Sequence, residues 1–257
     1  MNIVGVIFVW SIIQFDPKQV SRSLRSRCEN IENQLYLYHK DAFQEIEDAR
    51  HAYGSLKTEG STLTFVETSM IMRGEFPRNG SMKNRDISEA VGLAAALKEV
   101  RYLVDSTVPF SEDIVKRIHK TCSNGLLNPA SCGVYKTSPN YIGRGNYITA
   151  APNQVNKLMR QLFEAILKEF NPIIRAAFFG FNYVSIHPFI DFNGRTSRLF
   201  ECYILAESGM PFISLKDGDI QTYLNILMKG QEEGKAYYEP YIEFILKRVE
   251  ERFDEIV

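Results

Sequence analysis

Residues 185–198, SIHPFIDFNGRTSR, do most to constrain this chain. Helix patterns stand on either side, one over 172–186 and one from about Gly194 to Ser208, so the polar residues sit between two helix ends. Each residue type there has chemical use. Backbone N–H groups at a helix start are unpaired and, with the helix dipole, make an anion site. Asn193 and Gly194 stand at such a start, and glycine lets a phosphate approach the backbone. Arg195 and Arg198 are three apart on the helix that follows, so both can flank one anion. Asp191 lies where a carboxylate can hold Mg²⁺ against phosphate oxygens. His187 follows an apolar helix and can take a proton from an attacking hydroxyl. A His, a turn or an arginine pair alone is ordinary structure. Their conjunction at this spacing points to chemistry on a nucleotide phosphate. Phe192 is the odd member, because glycine suits a tight phosphate turn far better.

The 257 residues are 45% hydrophobic and 24% charged, as expected of a globular protein with a sizeable core. Thirty basic side chains against thirty-one acidic ones leave a net charge of −1, which argues against a protein that binds nucleic acid through phosphates. The four cysteines, Cys28, Cys122, Cys132 and Cys202, have no C-x-x-C spacing. Free thiols in the cytoplasm are the expected state, with no zinc site and no disulfide framework. The apolar run at 3–15 is too short for a membrane helix and lacks the basic residues that precede a signal-peptide core. It is expected to pack within the protein or against a partner, with Trp10 buried, and no membrane association is expected.

The rest reads as mostly helical. Leu24, Ile31, Leu35, Leu37, Phe43 and Ile46 space one or two amphipathic helices over 17–53. Helices are predicted over 88–100 with Ser88 as cap, and over 111–122 with Ser111 as cap and Ile114, Val115 and Ile118 on one face. Between 132 and 152, glycines and prolines flank short β-prone runs around GRGN, which predicts a hairpin. Helices follow over 153–169, 219–230 and 238–254.

The 185–198 stretch strongly resembles the signature of the Fic family, H-P-F-x-(D/E)-G-N-G-R-x-x-R, with Phe192 in place of the first glycine. The likeness extends over roughly 108–250, through SEDIVKRIHK, the hairpin segment GVYKTSPNYIGRGNYITAAP and the C-terminal YLNILMKGQEEGKAYYEPYIEFIL. It implies a Fic-type helical bundle with one β-hairpin flap, preceded by an N-terminal helical region over 1–107. It further implies transfer of AMP from ATP to a Ser, Thr or Tyr hydroxyl of a target protein. On that model His187 is the general base, Asp191 holds Mg²⁺, Asn193 and Gly194 form the anion hole, Arg195 supports the phosphates and Arg198 meets the γ-phosphate. The target would dock on the 133–150 hairpin by strand addition. Relatives of the Doc type carry alanine at the position of Phe192 and use other chemistry, so loss of that glycine does not by itself abolish activity.

SLKTEG, 55–60, resembles the family's inhibitory motif (S/T)-x-x-x-E-(G/N). It implies that Glu59 competes with a triphosphate for Arg198, with Ser55 facing the same site and bonding Asn193. An ordinary helix end at Gly60 is the plainer account of the same six residues. Removal of AMP from a modified target, use of another nucleotide, and a weakly catalytic nucleotide- or target-binding module stay open at this stage, the last two because of Phe192. Inhibition within a chain and inhibition between chains of a homo-oligomer are equally open. His119 is expected to be structural, and neither His39 nor His51 has a metal partner at useful spacing.

Overall fold

A computed structural model of the chain describes residues 20–32, 44–76, 83–142, 147–233 and 238–256. Among them are ten α-helices and one two-stranded ladder. The helices are α1 (Arg22–Glu32), α2 (Gln44–Thr58), α3 (Phe65–Met72), α4 (Asn84–Asp105) and α5 (Glu112–Ser123), then α6 (Pro152–Ile166), α7 (Pro172–Ile186), α8 (Asn193–Glu207), α9 (Ile220–Glu233) and α10 (Tyr238–Ile256). The apolar run at 3–15 with Trp10, Leu35, Leu37, His39, Phe43 and the GRGN turn lie outside the described residues.

Helix α7 is the axis of the bundle. Its sequence, PIIRAAFFGFNYVSI, is apolar on every side, and every residue except Arg175 is buried. A helix of that kind has to be central. Asn171 caps it, its side chain accepting from the N–H groups of Ile173 and Ile174, and Pro172 occupies the first turn, where a missing N–H costs nothing. Helix α8 packs along α7 and is also buried except at Gly194 and Glu207, its two ends. Gly180 permits the close approach, since a Cβ there would lie 1.8 Å from the Glu201 carboxylate. Helices α4, α5, α6 and α10 pack directly on this pair, α6 burying Val155, Leu158, Met159, Leu162 and Ile166. One continuous apolar cluster joins Val20 near the start to Phe253 near the end.

Several sequence expectations are corrected. Helix α4 begins at Asn84, four residues before Ser88, so Ser88 is interior rather than a cap; the cap position is Lys83. Ile46 is 42% exposed rather than core. The hairpin is much shorter than 133–150: Tyr141 pairs with Ile148 and Ile142 with Tyr147, while a 3₁₀ turn and loop occupy the preceding residues. Helix α3 is not among the helices expected above, although Thr64 and Glu67 form a capping box that T-F-V-E spells out. Ser111 does cap α5, and Ile114, Val115 and Ile118 are buried.

Candidate active site

Three helix ends converge. The C-terminus of α7 carries His187, the N-terminus of α8 carries Gly194, and the C-terminus of α2 carries Glu59. His187 leaves α7 in the left-handed conformation, at φ 54°. Its Nδ1 lies 3.1 Å from the carbonyl oxygen of Val184. A carbonyl only accepts, so Nδ1 carries the hydrogen and Nε2 keeps its lone pair. Burial pushes the His187 pKa down to about 4, and Lys136 adds to the effect against the Val184 bond. The imidazole is therefore a neutral base at neutral pH.

The loop between the helices is held by its own side chains. Asn193 grips Phe189 twice, Oδ1 accepting from its N–H at 2.9 Å and Nδ2 donating to its carbonyl at 2.8 Å. His119 stacks on Phe189 with ring centroids 3.7 Å apart. Its Nδ1 accepts from the Gly133 N–H, so Nε2 donates to the carbonyl of Asp191 at 3.0 Å. Both nitrogens are used, which makes His119 a strut.

Phe192 adopts φ 67°, ψ 6°, a glycine-type conformation held by a phenylalanine. Such a conformation costs roughly 1–2 kcal/mol for an L-residue. Burying the ring contributes about 1.5–3 kcal/mol in return. The ring is 2% exposed, and the Arg195 guanidinium stacks 3.7 Å from its centroid. It therefore fills the core beneath the loop rather than the space beside Gly194.

The two arginines differ. Arg195 forms ion pairs with Glu89 at 2.9 Å and Asp191 at 3.0 Å. Arg198 donates to Ser55 Oγ at 2.9 Å, the Ser55 carbonyl at 3.0 Å and Glu59 Oε1 at 2.8 Å. Ser55 thus meets Arg198, and the expected bond to Asn193 is absent because Asn193 is committed to Phe189. Glu59 Oε1 would also lie 2.6 Å from a Cβ placed on Gly194. A carboxylate accordingly covers the start of α8, where an anion is favoured. Burial alone would raise the Glu59 pKa, but Arg198 and then Arg195 outweigh it and hold it below the ordinary value. Its own helix opposes it, since a carboxylate at a C-terminus faces the negative end of the dipole. The position is set by the backbone: Gly60 at φ +87° and the bond from Ser61 N–H to the Leu56 carbonyl, 3.1 Å, form a Schellman ending.

Asp191 tests the fit for a metal. Oδ1 accepts from the Phe192 N–H at 2.6 Å and from Arg195, whereas among the described residues Oδ2 has only Arg85, 3.9 Å away, and the side chain is 43% exposed. No cluster of three His, Cys, Asp or Glu residues exists among the described residues. One outward carboxylate oxygen beside a phosphate site suits Mg²⁺, which binds through one or two carboxylates plus phosphates rather than a protein cage.

Comparison with known proteins places the chain beside Fic proteins. The model of the Fic/DOC family matches residues 109–205. The chain carries a Fic/DOC family domain. It is 28% identical over 210 residues to the protein adenylyltransferase Fic of Drosophila erecta, covering 80% of this chain and 41% of that protein. The Aedes aegypti protein of the same name is 28% identical over 212 residues with the same coverage. The chain thus spans about two-fifths of the length of these curated relatives. The fold matches a Fic domain-containing signaling protein from Bacteroides thetaiotaomicron, with TM-score 0.72, 22% identity, and coverage of 91% and 95%. It also matches Fic-1 from C. elegans, residues 134–508, with TM-score 0.75, 24% identity, and coverage of 91% and 70%. The Fic match spans α5 to α8 and includes the loop that holds Phe192. Glu89, the partner of Arg195, lies on α4 outside the match and could be suspected from sequence only through its i, i+4 relation to Arg85. No described helix is long and apolar enough to cross a membrane. The four cysteines are free and buried.

Proposed function

We propose that the chain transfers AMP from ATP to a Ser, Thr or Tyr hydroxyl of a target protein, and that Glu59 holds it inhibited. The observation that carries this reading is Glu59 lying on Arg198 and over Gly194 at once. A carboxylate with that reach imitates a phosphate, and a triphosphate would have to displace it. The adenylyltransferase names of the relatives support the choice of donor.

In this mechanism Nε2 of His187 takes the proton of the target hydroxyl. The oxygen bonds to the α-phosphorus, the α–β phosphoanhydride bond breaks, and pyrophosphate leaves with that bond's electrons. The N–H groups at Asn193 and Gly194 receive phosphate oxygens, and Arg198 receives the γ-phosphate once Glu59 has left. Arg195, paired with Glu89 and Asp191, orients Asp191 and adds positive potential. Mg²⁺ held by Asp191 would neutralise phosphate charge. The target segment would extend the hairpin ladder at Tyr141–Ile142 or Tyr147–Ile148. General-base help from His187 is worth about 10²–10⁴ in rate.

Glu59→Gly tests the reading. It is expected to raise incorporation of label from ATP, in the presence of Mg²⁺, and to tighten ATP binding measured by calorimetry. ATP, GTP, CTP and UTP in parallel define the donor. Equal incorporation by both forms, both folded, would sink the inhibitory role. Loss of AMP release from a modified target, with no gain of transfer, would assign the reverse reaction instead.

A further inference from the structure

Lys136 has no role in the mechanism above, yet its environment is unusual. The residue is 5% exposed, and no carboxylate lies within ion-pair distance of its ammonium among the described residues. Burial pushes its pKa down to about 8. A buried ammonium without a counter-ion is costly and is retained only where its donors are all satisfied. Its three N–H groups reach Asn140 Oδ1 at 2.6 Å, Thr149 Oγ1 at 2.6 Å and the Ile186 carbonyl at 3.4 Å.

Those acceptors belong to two different parts of the site. Asn140 immediately precedes the first strand and Thr149 immediately follows the second, so both roots of the hairpin meet on one ammonium. Ile186 is the last residue of α7, and His187 follows it. The contact is reinforced around Lys136: its backbone N–H donates to the Pro188 carbonyl at 2.9 Å, and Asn140 Nδ2 donates to the Phe189 carbonyl at 2.6 Å. A neutral side chain could fill the same space. The charge adds something that packing does not, because it lies beside the imidazole that must stay unprotonated.

We propose that Lys136 is a positioning residue for the transfer reaction, latching both roots of the hairpin to the end of α7 so that the docked hydroxyl and His187 share one rigid frame. The proposal rests on the function proposed above. Its charge opposes protonation of His187, against Glu59 and Asp191, which act in the other direction.

Two variants separate latch from charge. Lys136→Met removes both; Thr149→Val removes one acceptor of the ammonium, together with the hydroxyl's own bond to Asn140, and keeps the charge. With Lys136→Met, the amides of Tyr141, Ile142, Tyr147 and Ile148 are expected to exchange about tenfold faster, the loss of roughly one hydrogen bond. The His187 imidazole, followed by NMR, should titrate at higher pH, while Mg·ATP binding stays within about twofold because the ammonium bonds the hairpin roots and the end of α7 and makes no hydrogen bond to Arg198. Thr149→Val should speed exchange and leave the His187 titration where it was. Wild-type exchange and titration in Lys136→Met would overturn the proposal. If that variant does not fold, unchanged exchange in Thr149→Val overturns the latch. In the Glu59→Gly background, Lys136→Met should lower label transfer about 10²-fold, the scale of a 1 Å misplacement. No transfer by the Glu59→Gly parent would count against the proposed function, and exchange and titration would still decide the latch.

Discussion

Phe192 carries a backbone that glycine would adopt without strain and a ring that glycine lacks. The roughly 1–2 kcal/mol of left-handed strain is set against about 3–5 kcal/mol for emptying an aromatic site in a core. Phe192→Gly is therefore expected to destabilise the protein by about 1–4 kcal/mol in urea unfolding. A more stable variant would mean that strain dominates. Glu201, one turn beyond Arg198, has a different conflict. It accepts from the Tyr241 hydroxyl at 2.5 Å in the core, and burial pushes its pKa from the ordinary 4.5 up to about 7. A folded pKa above the unfolded one gives stability that is present below about 4.5 and lost as pH rises through 7. Glu201→Gln should thus gain thermal stability relative to wild type between pH 5 and pH 8. A difference that shrinks over that range would contradict the assignment.

At the scale of elements, α2 places Glu59 on Arg198 and over the start of α8. Its far end is fixed by Glu47, fully buried, which pairs with Arg101 at 3.1 Å and Arg252 at 2.9 Å. Nearer Glu59, Gly54 passes the 210–216 segment so closely that a Cβ would lie 2.2 Å from the Leu215 carbonyl oxygen. Glu59 therefore reaches Arg198 because α2 is clamped at both points. Glu47→Ala leaves Arg252 with Glu255 alone and Arg101 with Asp48. Breaking a buried pair from one side costs about 3–5 kcal/mol. On the proposed function the variant should lose thermal stability and bind Mg·ATP more tightly, although Glu47 pairs with Arg101 and Arg252 rather than with Arg198. Lower stability with unchanged affinity would separate the anchor from the inhibition.

Across the whole molecule, the helices packed on α7 and α8 share one core, so the residues around Arg198 arrive from distant parts of the chain. The signature loop was legible because its parts are local. His187, Asp191, Asn193, Gly194, Arg195 and Arg198 fall within twelve positions, and two helix ends with a short loop put such residues together in almost any packing. The mostly helical class and the cap at Ser111 follow from periodicity and capping chemistry in the same way. The contact between Glu59 and Arg198 spans 139 residues and depends on the placement of α2. Glu89 beneath Arg195, and Lys136 beneath the hairpin, had no local pattern to announce them. The fate of Phe192 belongs to this group as well. Sequence alone determined a mostly helical chain and gathered a histidine, a carboxylate and two arginines at one short junction between helices. Tertiary structure decided that the phenylalanine ring turns inward, that Asn193 braces the loop rather than bonding Ser55, and how α2 carries Glu59, whose pairing with Arg198 the SLKTEG resemblance implied, over the start of α8. The physical reason is range: caps and helix starts depend on neighbouring residues, whereas burial and ion pairing depend on which distant surfaces the core brings together.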